Sequence, residues 1–348
     1  MHSASGPNGR GAGTRRKALV TGGAGFIGSH LCELLLASGW EVYALDDLST
    51  GSEANVAHLR ERWDFHLVVD SVLSDHVVNE LVYKCDAVFH LAAAVGVRLI
   101  VEQPVQTLVT NVQGTETVLN HCNRFNKRVL IASTSEVYGD HREKRPLDEE
   151  AQRIYGPTTA RRWAYADSKA LDELLALAYH QERGLDGVIA RLFNTVGPRQ
   201  TGRYGMVIPR FVEAALANRP IEIFGDGTQT RCFCHVSDVV VALKDLMEDD
   251  SISGEIFNVG SQQSIRIIDL AQRVIQMTGS SSEIVYVPFT EVYGQGIEDM
   301  LHRIPATEKI RNAIGWQPRL DLDLILADVI KQSRTAAVAS SRVIAQGA

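Results

Sequence analysis

Glycines at positions 22, 25 and 28 stand between a short apolar segment, Ala18–Val20, and a helix-forming segment that opens at Leu31. A strand that turns this sharply into a helix confines the chain to a βα unit in which each glycine answers a steric need. One permits the tight turn, one lets the backbone approach a pyrophosphate, and one lets the helix pack closely on the strand. Free N–H groups at the helix start, together with the helix dipole, favour an anion there. The spacing is G-x-x-G-x-x-G rather than the commoner G-x-G-x-x-G, so the triplet needs its context. A second apolar run, Glu41–Leu45, ends in Asp46-Asp47, where the second strand of such a unit delivers a carboxylate to an adenosine ribose. That carboxylate accepts from both ribose hydroxyls and repels a 2′-phosphate, which points to NAD rather than NADP. The bland alternative is a solvated aspartate pair in a loop. Gly22, Gly25, Phe26, Ile27, Gly28 and Asp46 are the first candidate cofactor contacts.

At 348 residues the chain fits one large α/β domain carrying a substrate-binding lobe. A formal charge of −7 and the lack of any basic block beyond Arg15-Arg16-Lys17 argue against nucleic acid as a partner. An anionic substrate must then be held by local arginines and helix ends. Five cysteines, an odd number, do not read as a disulfide framework. Cys232 and Cys234 form a C-x-C pair beside His235, yet no further ligands stand at metal spacing, so strand packing is the reading. No segment has the length of a membrane helix, and no apolar signal segment opens the chain; the expectation is a cytoplasmic protein with no membrane partner. Residues 1–14, rich in Gly and Ser, read as a disordered leader, and 335–348, mostly small, as a frayed tail.

Strand and helix alternate through the first half. Strands are expected at Ala18–Thr21, Glu41–Leu45, Asp64–Val69, Ala87–Leu91, Arg128–Ser133 and Val188–Leu192, several of them continuous apolar runs typical of buried parallel strands. Right-handed connections then give a doubly wound parallel sheet, the Rossmann arrangement, with its ligand at the carboxyl ends of the strands. Long helices are expected near Val105–Phe125 and Tyr165–Arg183, the second closed by Gly184. Shorter helices are read near Pro209–Ala217, Val236–Glu248 and Ile268–Met277, with a strand at Ile256–Val259. The division expected is an NAD-binding domain over 15–195 and a smaller C-terminal substrate-binding lobe over 196–334, with segments of about 230–262 returning to the first domain.

Tyr165-Ala166-Asp167-Ser168-Lys169 carries the chemistry. On a helix, positions i and i+4 share a face, which brings phenol and ammonium together. A tyrosine is a poor base at neutral pH, and a nearby cation lowers its pKa. Tyr165 is thus a candidate base for an alcohol whose hydride passes to NAD. Alone the pattern arises by chance; downstream of a dinucleotide turn, with Ser133-Thr134-Ser135 closing the intervening strand, it does not read as chance.

Taken together, the glycine turn, Asp46, Thr134-Ser135-Glu136-Val137-Tyr138-Gly139 and the Tyr165/Lys169 pair resemble the extended short-chain dehydrogenase/reductase superfamily, in its nucleotide-sugar epimerase, dehydratase and decarboxylase branch. The resemblance covers about Lys17 to Ile330. It implies cofactor contacts at Asp70, at Leu91, Ala92 and Ala93, and at Asn111. It further implies that Asn194 faces a sugar nucleotide and that Arg231 and Arg303 face its diphosphate. By the same resemblance Tyr165 takes the proton of the sugar 4-hydroxyl, Thr134 hydrogen-bonds that oxygen, and Lys169 binds the nicotinamide ribose while depressing the Tyr165 pKa.

Three fates follow C4 oxidation: 4-epimerisation, 4,6-dehydration and decarboxylation of a uronate. Simple 4-epimerases usually carry small residues where Ser135 and Glu136 stand, and many dehydratases carry an Asp-Glu pair. The Thr-Ser-Glu-Val-Tyr-Gly run and Thr230-Arg231-Cys232-Phe233 resemble the branch that decarboxylates UDP-glucuronate, with Glu136 and Arg231 as further catalytic candidates. The loops Val95–Glu102 and Gly202–Met206 differ from that branch and leave 4-epimerase, then dehydratase, as alternatives. An NAD-sensing regulator would not need Thr134, Tyr165 and Lys169 together. The two long helices match those that pair subunits of this family in a four-helix bundle, so a homodimer binding a UDP-sugar is expected.

Overall fold

The computed structural model describes residues 15–95, 103–202, 206–293 and 300–346. The expected leader at 1–14 lies outside the described residues, as do 96–102 and 203–205 of the two loops singled out above.

Seven strands form one parallel sheet: β1 (Lys17–Thr21), β2 (Glu41–Asp46), β3 (Phe65–Val69), β4 (Ala87–His90), β5 (Arg128–Thr134), β6 (Gly187–Leu192) and β7 (Ile256–Val259). Their order is β7-β6-β5-β4-β1-β2-β3, so the winding direction reverses between β1 and β4. A crevice opens at such a reversal because the two neighbouring connections leave on opposite faces. Helices of ten residues or more are α1 (Phe26–Ala37), α2 (Asp75–Lys84), α3 (Pro104–Arg124), α4 (Ala164–Arg183), α5 (Val207–Leu216), α6 (Val236–Glu248), α7 (Ile267–Thr278) and α8 (Leu322–Gln346).

Side chains alternate across a strand, and both faces of this sheet are covered, which is why its strands are apolar throughout. Ala18, Val20, Phe89 and Leu130 join a core with Leu31 and Leu35 of α1 and Val239 and Leu243 of α6. Their neighbours Leu19, Val88, Val129 and Ile131 point the other way, to Val78 and Val82 of α2 and Val118 and Cys122 of α3. α6 and β7 thus return to the main sheet after the chain has visited the smaller lobe. A third core, with Val212, Ile223, Leu270, Val274 and Leu326, holds α5, α7 and α8 together.

Helix α4 ends where expected, at Gly184 with φ +68°. The C-terminal expectation needs correction: α8 continues to Gln346, past the point where a frayed tail was expected. Alanine and other small residues favour helix over coil, and no glycine or proline interrupts the segment before Gly347. Cys232 and Cys234 are buried free thiols, and the described residues contain no metal-binding cluster.

Candidate active site

One cavity of about 780 Å³ runs along the carboxyl ends of the strands, from the glycine turn to the smaller lobe. Its first end is built from backbone. Gly22 sits at φ +70°, and a Cβ there would lie 3.0 Å from the Ala92 backbone nitrogen. At Gly28 a Cβ would lie 2.0 Å from the Gly22 carbonyl oxygen, so nothing larger than glycine allows α1 to start this close to the turn. The first turn of α1 carries no acidic residue, leaving its N-terminus to an anion. Gly22, Gly25, Phe26, Ile27 and Gly28 all border the cavity, as do Leu91, Ala92 and Ala93. These tight approaches and the bare helix start fit a dinucleotide.

Asp46 has a structural task besides the one expected. Its carboxylate accepts from the backbone N–H of Ala24 (2.9 Å) and of Leu48 (2.8 Å), pinning the turn to the end of β2. Burial pushes its carboxyl up, against the pull of those two donors. Asp70 borders the same end and accepts from the Ser71 N–H at 2.7 Å. His90 lies behind the wall, bonded to Thr21 (2.9 Å) and Thr115 (3.0 Å); burial, then the charge of Lys169, push its pKa down to about 3. It is a neutral structural residue.

The other end is ionic. Tyr165, in the first turn of α4, is buried, borders the cavity and hydrogen-bonds Thr134 at the end of β5. Burial holds its phenol well above the ordinary tyrosine value, and the negative charges of Glu136 and Asp172 add to the effect. The depression expected from Lys169 together with a positive nicotinamide concerns the NAD-bound enzyme and belongs to the proposed function. Lys169 donates to Asp172 at 2.7 Å, both side chains being almost fully buried, so its charge is matched three residues on in the same helix. Neither Lys169 nor Asn111 forms part of the cavity wall. Asn111 instead accepts from the Ala94 N–H (2.8 Å) and donates to Ser168 (3.1 Å), which ties the strand-four loop to α4. The amide thus braces the site, and the cofactor contact that the resemblance implies for Asn111 stays a proposal.

Glu136 lies between two guanidinium groups, with Oε1 3.5 Å from Arg303 and Oε2 3.8 Å from Arg162. Arg303 also donates to Ser135 at 3.3 Å, which places its head at the reaction end. Arg231 lines the cavity and donates to its own neighbour's carbonyl, Thr230, at 2.9 Å. Asn194, at φ +36°, donates to the Cys232 carbonyl at 2.9 Å and also borders the cavity. Two residues escaped sequence reading: Arg162, three before Tyr165, and Asp172, three after Lys169. Helical spacing from Lys169 would have flagged Asp172, since i and i+3 are neighbours on a helix, whereas Arg162 lies in the turn before α4 and left no such signal.

Comparison with known proteins agrees with this layout. Residues 18–260 match the model of the NAD dependent epimerase/dehydratase family. A UDP-N-acetyl-alpha-D-glucosaminuronate decarboxylase of Bacillus cytotoxicus is 40% identical over 321 residues, covering 92% of this chain and 98% of that protein. UDP-glucuronic acid decarboxylase 1 of Arabidopsis thaliana is 35% identical over 311 residues, covering 88% of this chain and 67% of that protein. Among solved structures, UDP-glucose 4-epimerase of Thermotoga maritima with UDP-glucose superposes with a TM-score of 0.82 at 28% identity, covering 92% and 99% of the two chains. The dTDP-glucose 4,6-dehydratase DesIV of Streptomyces venezuelae, with NAD bound, superposes with a TM-score of 0.83 at 29% identity, covering 92% and 97%. The fold and the glycine turn coincide with a sequence match across most of the chain, and NAD is the cofactor these agree on. This enzyme belongs to the NAD dependent epimerase/dehydratase family.

Proposed function

We propose that the enzyme decarboxylates a UDP-hexuronate, with UDP-glucuronate as the first candidate, to UDP-xylose or its 4-keto form. The carrying observation is the charge beside Tyr165: Glu136 between Arg162 and Arg303, with Arg231 in the same wall. A neutral hexose brings only its diphosphate to such a cavity, whereas a uronate brings a further carboxylate. The names of the two decarboxylase relatives support the reading and differ only in the 2-acetamido group of the sugar.

The chemistry follows from the side chains. Tyr165, as the phenolate that Lys169 and the positive charge of a bound nicotinamide would favour against burial, takes the proton of the 4-hydroxyl while Thr134 hydrogen-bonds that oxygen. NAD, held by the glycine turn and Asp46, would supply an acceptor for the C4 hydride and a donor for its return. The new C4 carbonyl lies β to the C6 carboxylate. The C5–C6 bond breaks, CO2 leaves, and the electron pair moves into the C4 carbonyl as an enolate, whose charge the neighbouring arginines stabilise. C5 then takes a proton relayed by Glu136, and Tyr165 returns its own proton to O4 on re-reduction. Lys169, fixed by Asp172, stiffens the helix face that presents the phenol.

Mass spectrometry and proton NMR on protein given NAD with UDP-glucuronate, its 2-acetamido counterpart or UDP-glucose test this reading. Loss of CO2 from either uronate is expected. Unchanged uronates alongside C4 inversion of UDP-glucose would replace the reading with 4-epimerisation, which the structural likeness to UDP-glucose 4-epimerase favours as second choice.

The homodimer belongs to the same proposal. Helices α3 and α4 pack side by side and leave Val105 (74% exposed), Leu108, Val109, Leu171 and Leu174 on their outer surface. A second copy burying this stripe makes a four-helix bundle. Light scattering should give a dimer mass that Leu174→Glu halves; a monomeric wild-type mass ends this part of the proposal. A cytoplasmic location remains the working expectation, and no helix among the described residues is long and apolar enough to cross a membrane.

A further inference from the structure

We infer that Arg162 is the residue that recognises the C6 carboxylate and so sets the preference for a uronate over a hexose. The inference rests on the decarboxylase reading and assigns one of the three arginines a task that reading leaves open. Arg162 sits in the single turn Arg161–Trp163 that leads into α4, is 6% exposed and lines the cavity. Its side chain makes no hydrogen bond among the described residues. The nearest carboxylate oxygen, Glu136 Oε2, is 3.8 Å from Nη1, beyond hydrogen-bond reach, and Nε has no partner. The Trp163 ring, centred 5.7 Å away, offers only a weak neighbour.

Other buried arginines in this chain differ. Arg191 meets both oxygens of Glu173 (2.9 and 2.8 Å), the Tyr138 hydroxyl (2.9 Å) and the Glu149 carbonyl (2.8 Å). Arg128 holds Asp186 and the carbonyls of Leu246 and Asp249. Those two brace the fold through their Nη groups, although the Arg128 Nε, like that of Arg162, has no partner; what sets Arg162 apart is that its Nη groups make no hydrogen bond among the described residues either. A guanidinium that lines a cavity with no hydrogen-bond partner on its walls stands where a ligand can complete it. Its planar fork matches a carboxylate, which can accept two parallel N–H bonds.

Position selects the carboxylate over the diphosphate. The C6 carboxylate hangs from C5, next to the C4 whose hydroxyl Tyr165 takes, so its binding group must stand beside Tyr165. Arg162 does, three residues before it. Glu136 does not close the site, because its other oxygen faces Arg303 at 3.5 Å.

Calorimetric titration of NAD-loaded protein with UDP-glucuronate and with UDP-glucose, on wild type, Arg162→Met and Arg162→Lys, tests the assignment, alongside CO2-release kinetics and thermal melting. Arg162→Met should weaken UDP-glucuronate by about thirtyfold, the loss of a charge-assisted pair, and raise KM by a similar factor. UDP-glucose should move less than twofold. Arg162→Lys should recover part of the loss, having the charge without the fork. The Met variant should melt no lower than wild type, since it removes a buried charge without a close partner. Equal weakening of both ligands, unchanged uronate binding, or a collapsed melt overturns the assignment while wild-type decarboxylation stands. A wild type that releases no CO2 from either uronate removes the decarboxylase reading, and this inference with it.

Discussion

At the glycine-turn end of the cavity the walls are backbone and small side chains, whereas at the reaction end they are buried ions. Gly22, Gly28 and Ala92 approach one another so closely that steric exclusion alone defines the surface. Beside Tyr165 the wall carries charge instead, with Glu136, Arg162 and Arg303 on the cavity and the Lys169–Asp172 pair buried behind it. The first end suits a cofactor that is the same in every turnover. The second suits a substrate whose charge and protonation change during the reaction. Damage should differ accordingly: added atoms harm the first end, lost charges the second.

The largest effect is expected from Tyr165→Phe. Turnover should fall by about a thousandfold, while NAD affinity stays within twofold, because the hydroxyl belongs to the ionic end only. A parallel loss of NAD binding would erase the distinction between the ends. Next, Asp172→Asn strands the Lys169 ammonium in the interior and should lower stability by about 3 kcal/mol, read from urea denaturation; a change of a few tenths would mean the pair contributes little.

At the glycine end, Gly28→Ala should cost about 3 kcal/mol, since its Cβ meets a backbone carbonyl that cannot move aside. Gly39→Ala is the control. It has φ +84° with nothing within 4 Å, so its cost, about 1 kcal/mol, is conformational only. Equal costs at the two sites would break the steric half of the comparison.

The smallest effect sharpens the ionic half. Burial raises the Tyr165 phenol first, and the negative charge of Glu136 raises it further. Glu136→Gln removes that charge, so the phenol pKa falls and phenolate forms at lower pH. The acid limb of C4 oxidation, followed as NADH appearance in a single turnover, should move to lower pH. No movement, or movement upward, would show that Glu136 does not act on the phenol.

Much of this architecture was legible along the chain because it depends on local pattern. Apolar runs separated by helix-length segments gave the parallel sheet, and Gly184 after a periodic segment gave the end of α4. The glycine turn was legible for the same reason: its constraints lie within seven residues. Lys169 was read with the Tyr165 phenol and the cofactor, and its pairing with Asp172 was not legible because it depends on burial. Asn111 was read as a cofactor contact, and its bonds to Ala94 and Ser168 were not legible because the packing of α3 on α4 and on the strand-four loop brings those residues to it. Arg162 was passed over because an arginine beside a tryptophan in a loop looks like any solvated cation until its burial is known.

The sequence by itself determined the parallel sheet, the glycine turn and the choice of Tyr165 as the candidate base. Each of these follows from periodicity or from steric limits acting over a few residues. Only the tertiary structure decided which charges meet: Glu136 with Arg162 and Arg303, Lys169 with Asp172, Asp46 with the turn it pins. Electrostatic pairing depends on distance and burial in space, and neither quantity is written in the order of residues along the chain.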